Sequence, residues 1–273
     1  MKQFKDKVAI VTGGGSGIGQ ALCQELGQGG SIVAVADIND DHAKRVAAAI
    51  TQNGGRAHAV HVDVSNEEDV RKLINETVSE YGRLDYLFNN AGISIGGDAR
   101  DLTIEQWRNV LEVNLYGVLY GTVIAYPIMV GQGSGHIVNV SSAAGLFPGP
   151  INAPYCTSKY AIVGLSLSLR VEGADLGVNV SVVCPGSVRT NIWQAATIVN
   201  VPPERRAALT PRKMMEASKA ARTILGGVSR NKAIIAFPAG VRLVWRLYRL
   251  SPHRLDRLML YAIRNFRKYR LNP

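Results

Sequence analysis

Three polar side chains stand out in the mostly apolar stretch SAAGLFPGPINAPYCTSK: Ser142, Tyr155 and Lys159. Tyr155 and Lys159 are four residues apart, so on a helix they share one face, a turn from each other. An ammonium beside a phenol favours the phenolate and lowers the tyrosine pKa from about 10. A tyrosine tuned toward neutrality exchanges a proton with a hydroxyl or carbonyl oxygen. Ser142 can hydrogen-bond that same oxygen. The same spacing also fits a plain helix start with an exposed lysine, so the pattern needs a context.

That context lies upstream. Lys7 to Val11 reads as a short buried strand, followed by Thr12-Gly-Gly-Gly-Ser-Gly-Ile-Gly19 and a helical run from Gln20 to Gln28. Strand, glycine turn and helix make a phosphate cradle. Gly13 permits the tight turn, Gly17 lets backbone approach a pyrophosphate, and Gly19 permits close helix packing. Ser16, Ile18 and their neighbours open the helix, whose N-terminus supplies N–H groups and the positive end of the dipole. The second strand, Ser31 to Asp37, ends in an acid 18 positions after Gly19. A carboxylate there can accept from both ribose hydroxyls of an adenosine and repels a 2′-phosphate. No Arg or Lys stands at 38–41 to compensate. The competing reading makes such acids helix caps; Asp40 is expected to cap a helix over His42 to Asn53.

The positioning elements follow the same rhythm. A strand from Arg56 ends at Asp63-Val64, and Ser65 with Glu68 predicts a capping box for a helix over Glu67 to Tyr81. A fourth strand, Asp85 to Phe88, runs into Asn89-Asn90-Ala91-Gly92. Repeated strand–helix units imply an α/β fold, a doubly wound parallel sheet with helices on both faces. The glycine loop, Asp37, Asp63 and Asn90 then gather at the carboxyl ends of the strands. One long helix from about Thr103 through Val130 carries Asn114. A strand over His136 to Val140 delivers Ser141-Ser142, and Tyr155 begins a helix to about Leu176. A strand over Val178 to Val183, a helix to about Gly227 and a strand over Ala233 to Phe237 complete the series.

Composition narrows the classes. With 47% hydrophobic and 19% charged residues among 273, the chain is globular. Cys23, Cys156 and Cys184 are far apart, which suits a reducing, cytoplasmic compartment and predicts neither a disulfide framework nor a metal site. Cys156 has no histidine placed to activate it, so packing is its expected role. The N-terminus is not expected to be a signal peptide. Val113 to His136 is uncharged and near membrane-spanning length, but its glycines, Asn114 and Pro127 fit a buried or interface helix better. Of the net charge of +10, residues 239–273 carry +8, with nine Lys and Arg against Asp256 alone. That tail predicts two helices around Ser251-Pro252. Val241, Val244, Trp245 and Tyr248 form one apolar stripe. Leu255, Leu258, Met259, Ala262, Ile263 and Phe266 form another. The stripes either lie on an anionic membrane or pack on the domain or a second subunit. Nothing in them suits nucleic acid.

Taken together, the glycine loop, Asn89 to Gly92, Asn114, Ser142, Tyr155, Lys159 and Pro185-Gly186 resemble the short-chain dehydrogenase/reductase family over residues 5–237. Ser142 precedes Tyr155 by 13, the family's usual spacing. The resemblance implies a Rossmann-type domain of about seven strands over residues 1–238, with 239–273 as a helical extension. It implies hydride transfer between NAD(H) and a secondary alcohol or ketone. Tyr155 would be the acid/base, Ser142 would orient the substrate oxygen, and Lys159 would lower the tyrosine pKa and hold the nicotinamide ribose. Asn114 would hold a water linking Lys159 to solvent. Asn90, Ala91 and Gly92 would lie along the cofactor, Asp63 and Val64 beside adenine, and Val188 and Thr190 beside the carboxamide. Asp37 matches the NAD-preferring members. A homodimer or homotetramer built on the helices of Asn114 and Tyr155 is implied as well. The substrate pocket is expected between Ser94 to Gly97, Leu146-Phe147-Pro148, and the segment holding Ile192 and Trp193. Its apolar character favours a steroid, retinoid or fatty alcohol over a sugar. The competing function is a non-catalytic NAD-binding regulator or membrane-recruited scaffold; an epimerase or dehydratase is a third.

Overall fold

The computed structural model describes residues 2–211 and 213–271. Seven strands, β1 (Val8–Thr12), β2 (Ile32–Asp37), β3 (Arg56–His61), β4 (Tyr86–Asn89), β6 (Gly135–Val140), β7 (Val178–Pro185) and β9 (Ile234–Phe237), form one parallel sheet. Two-residue strands β5 (Ile95–Gly96) and β8 (Thr197–Ile198) pair separately. The sheet order is β3-β2-β1-β4-β6-β7-β9, so the direction of winding reverses between β1 and β4. Such a reversal opens a crevice at the carboxyl ends of the strands. Every residue of β1 is buried, as expected for a parallel strand covered on both faces.

On one face lie α1 (Gly17–Gln28), α2 (Asp40–Gln52) and α9 (Ala217–Val228), packed through Leu22, Leu26, Val46 and Ile224. On the other lie α3 (Glu67–Tyr81), α5 (Gly117–Gly131) and α6 (Ala153–Glu172), through Leu73, Ile74, Met129 and Leu169. α4 (Ile104–Leu111) runs into α5 through a π-helical turn, Glu112–Tyr116, where one helix is expected from sequence. This run is long and apolar enough to cross a membrane, but its Ile124, Ala125 and Met129 pack into the core beneath the sheet. Short helices α7 (Ile192–Ala195) and α8 (Pro203–Arg206) interrupt the segment before α9.

Two helix starts differ from expectation. Asn39, not Asp40, caps α2, its Oδ1 accepting from His42 N at 2.9 Å; Asp40 enters the first turn and meets His61 at 2.7 Å. Ser65 does not cap α3, because its hydroxyl and amide both go to Asp63 Oδ1. Asn66 caps instead, accepting from Glu68 N at 2.9 Å. The capping box occurs at Thr103 and Gln106, at the head of α4.

The basic tail forms α10 (Ala239–Leu250) and α11 (Pro252–Arg267). Val241 and Trp245 pack on the cluster of Val118, Leu146, Ile162 and Val182. Phe266 is buried, and Arg267 and Arg270 reach back to Asp98 and Asp101. The packing alternative therefore holds for these parts of both stripes. Ala262 is exposed, and the side chain of Leu258 lies outside the described residues.

Candidate active site

The glycine loop is held by its neighbours. Gly13 and Gly17 have φ of +62° and +54°, where side chains are strained. A Cβ on Gly19 would fall 2.0 Å from the Gly13 carbonyl, so only glycine lets α1 start this close to β1. Thr12 Oγ1 accepts from Asn90 N and Ala91 N at 3.0 and 3.2 Å, and Asn90 Nδ2 donates to Thr12 O at 2.9 Å. The amide of Asn90 thus braces the loop across the β1–β4 crevice, and Ala91 packs against Gly13. Ser16 caps α1 by backbone alone, its hydroxyl making no capping bond. The glycine turn and the N–H groups at the N-terminus of α1 fit a dinucleotide pyrophosphate.

Asp37 ends β2 with both oxygens fixed: Oδ2 accepts from Gly15 N at 2.8 Å and Oδ1 from Asn39 N at 2.9 Å. A carboxylate has about four acceptor sites, so acceptors remain for ribose hydroxyls. Asp63 holds Ser65, and Val64 is buried against Gly117. Val188 is also a core residue, while Thr190 lies over Gly17, 3.0 Å from where a Cβ would stand. Pro185 ends β7, and Gly186 N donates to Phe237 O at 2.7 Å.

The proton-transfer candidates converge on the adjoining strand end. β6 carries Ser141, whose hydroxyl donates to Lys159 O at 2.8 Å and ties the strand to α6. Ser142 follows, half-buried, its Oγ accepting from Ala144 N. Tyr155 and Lys159 share a face of α6, with Nζ 5.4 Å from the centre of the phenol ring. Nζ donates to Val140 O at 3.0 Å. The charge balance here differs from the sequence expectation. Burial pushes the Tyr155 phenol up to about 12, and the Ser142 hydroxyl beside it works the other way. Burial also pulls Lys159 down to about 8. Desolvation dominates at the phenol, and the Lys159 ammonium is engaged by the Val140 carbonyl.

Asn114 sits fully buried on the π-helical turn. Its Oδ1 accepts from Ile93 N at 2.8 Å, and its Nδ2 donates to Ile93 O at 3.0 Å. Gly92 is held between Asn114 and Lys159, its Cβ position 3.2 Å from Oδ1 and 3.6 Å from Nζ. Ser158, not anticipated from the sequence, receives Asn114 Nδ2 at 3.3 Å and donates to Tyr155 O at 2.7 Å. Ser141 and Ser158 each adjoin a predicted site residue, and serines buried beside such residues were the available signal. Cys156 bonds the Gly149 carbonyl and burial raises its pKa, as suits packing.

The pocket walls are joined by the β5–β8 pairing, which brings Ile95-Gly96 to the Ile192–Trp193 side. Trp193 Nε1 donates to Val188 O at 2.8 Å, and Ile192 is half-buried. Leu146 is a correction. The turn Ala143–Gly145 packs so tightly on α6 that Leu146 enters the core with Val118 and Ile162. Phe147 packs at the edge of that same cluster.

Residues 7–198 match the family model for short chain dehydrogenase. The meso-2,3-butanediol dehydrogenase of Serratia marcescens is 36% identical over 190 residues, 70% of this chain and 74% of that protein. The cyclohexanol dehydrogenase of an Acinetobacter species is 36% identical over 206 residues, 74% and 82% of the two chains. Among solved structures, a short chain dehydrogenase/reductase from Burkholderia phymatum in complex with NAD superposes with a TM-score of 0.86 at 28% identity. The overlap covers 93% of this chain and 97% of that one. A cradle that fits a dinucleotide, a Ser–Tyr–Lys group beside it and these matches agree: the chain belongs to the short chain dehydrogenase family and is an oxidoreductase acting on CH–OH groups with a nicotinamide cofactor.

Proposed function

We propose that the chain moves a hydride between NAD(H) and a lipophilic secondary alcohol or ketone, with Tyr155 taking or giving the hydroxyl proton. The observation that carries this reading is the meeting of Ser142, Tyr155 and Lys159 at the strand end next to the glycine loop. When bound, the nicotinamide supplies the hydride acceptor or donor. The chain supplies position and proton transfer. Gly13, Ser16 to Gly19, Asn90 to Gly92, Pro185, Gly186, Val188 and Thr190 would line the cofactor, with Asp37 on the ribose. Ser142 holds the substrate oxygen at Tyr155. Lys159 has N–H donors beyond the one given to Val140 O, available to a ribose hydroxyl. Asn114 fixes Ile93 and Gly92 against Lys159 and shapes the water path by which the tyrosine proton reaches solvent. The apolar side chains of Ile95, Phe147, Ile192 and Trp193 around the cleft support a lipophilic substrate. The same reading makes the protein a cytoplasmic homodimer or homotetramer through α5 and α6, whose Val123, Tyr160 and Val171 are exposed.

The test is absorbance at 340 nm with NAD and a panel of secondary alcohols. Turnover is expected with apolar members. Tyr155→Phe should lower kcat by about a thousandfold while NAD still binds, since a positioned acid/base contributes roughly 10²–10⁴. Binding of NAD without turnover across the panel would favour a non-catalytic regulator, and near-normal turnover in the variant would remove Tyr155 from the chemistry.

A further inference from the structure

The tail has two apolar stripes on α10, and the fold uses only one. Val241 and Trp245 turn inward to the core. Leu243, Leu247 and Leu250, spaced four and three apart, lie on another face and are 59%, 56% and 83% exposed. Arg242, Arg246 and Arg249 alternate with them and are exposed too. Arg249 stacks its guanidinium 5.7 Å from the Trp245 ring centre, which fixes the arginine on the surface beside the leucines. α11 adds exposed Arg254, Arg257 and Arg264, with Leu260 and Tyr261. Among the described residues, none of these six arginines meets a carboxylate; the tail's acid-paired arginines are Arg267 and Arg270. Three leucines held in water between guanidinium groups that meet no carboxylate among the described residues leave apolar area uncovered and positive charge without a counter-charge.

We infer that this outer face of α10, with the arginines of α11, docks on an anionic lipid surface. Leucines at this spacing enter the acyl boundary while guanidinium groups meet lipid phosphates, the pairing that holds basic amphipathic helices in an interface. The charge complementarity selects this occupant. A second copy would bring the same cluster of arginines to the contact and would have to bury it against like charge. Because the inner stripe and the Asp98 and Asp101 pairs hold both helices on the enzyme, the face is presented ready-formed. The inference stands apart from the catalytic reading.

The full chain is sedimented with vesicles of phosphatidylglycerol and phosphatidylcholine, and with vesicles of phosphatidylcholine alone. Binding is expected to the anionic vesicles, to fall with added salt, and to drop at least about tenfold in Leu243→Asn/Leu247→Asn/Leu250→Asn. Arg246→Glu/Arg257→Glu, which leaves the leucines in place, should weaken it as well. A chain that stays in the supernatant with anionic vesicles overturns the inference, as does a leucine variant that pellets like the parent. If the leucine variant instead falls to a smaller oligomer by analytical ultracentrifugation in the absence of lipid, the face is a subunit contact and the inference fails. The assay needs no turnover, so loss of the oxidoreductase reading would leave it standing.

Discussion

Lys159 and Tyr155 show how far a side-chain pair depends on what surrounds it. Four-residue spacing on α6 brings them together, yet burial, the largest influence on each, pushes the phenol up to about 12 and pulls the ammonium down to about 8. The lowering expected from the four-residue spacing is therefore outweighed at Tyr155 by desolvation of the phenolate. Asp37 is the residue to which we propose to assign the choice of NAD over NADP. Its carboxylate is fixed by two backbone N–H groups at the end of β2, and the residues after it supply no cation. Asp37→Asn keeps an acceptor for Gly15 N and removes the charge. We expect kcat/KM with NAD to fall about 10–100-fold, the worth of a hydrogen bond to a charged group, and the disadvantage of NADP to shrink. Steady-state rates with both cofactors check this, and a wild-type enzyme that prefers NADP would remove the role from Asp37.

At the scale of elements, the strands β6, β7 and β9 are tied by a polar relay. His136 on β6 meets Ser181 Oγ on β7 at 2.8 Å, and Ser181 donates to Lys232 O at 2.6 Å, just before β9. Since the serine proton goes to the carbonyl, Nε2 of His136 must donate, and the neutral imidazole suffices. Burial, with Arg170 nearby, pulls His136 down to about 4. The unfolded chain binds that proton near 6.5, so this contribution is complete above pH 6.5 and is lost as pH falls through 4. The shift corresponds to about 3 kcal/mol over that window. His136→Gln keeps a donor for Ser181 and does not titrate. Urea unfolding at pH 7 and pH 4 should show the variant losing less stability on acidification than the parent by about that amount. Equal losses would place the acid sensitivity elsewhere.

For the whole molecule, the question is what keeps the basic tail on the catalytic domain. Arg270 is buried and bidentate to Asp101, at 2.7 and 3.0 Å, and Arg267 donates to Asp98 at 2.8 Å. Leu271 N donates to Asn200 O, so the end of the described chain also closes on the segment after β8. Removing one partner of a buried pair leaves an uncompensated charge. Arg270→Ala is expected to cost about 3 kcal/mol and to free α11, so that limited proteolysis cuts within 251–271 while the sheet retains its amide protection. Protection of that segment equal to the parent's would show that Phe266 and the apolar stripe suffice.

The order of strands and helices, the glycine cradle, Asp37 and the Ser142–Tyr155–Lys159 group were legible in the sequence because each is a local pattern. They rest on alternation, helical spacing, and residue types that only a turn or a cap tolerates. Several features were settled by tertiary contacts that no local pattern contains. Asn66 rather than Ser65 caps α3, because Asp63 claims the serine from outside the helix. Leu146 fills the core instead of the cleft, because the preceding turn is pressed onto α6. On α10, periodicity marks Val241, Val244, Trp245 and Tyr248 as one stripe but not whether it meets the domain, a second subunit or a membrane. Only the position of β7, α6 and β9 beneath it sends Val241 and Trp245 inward and leaves Leu243, Leu247 and Leu250 in water.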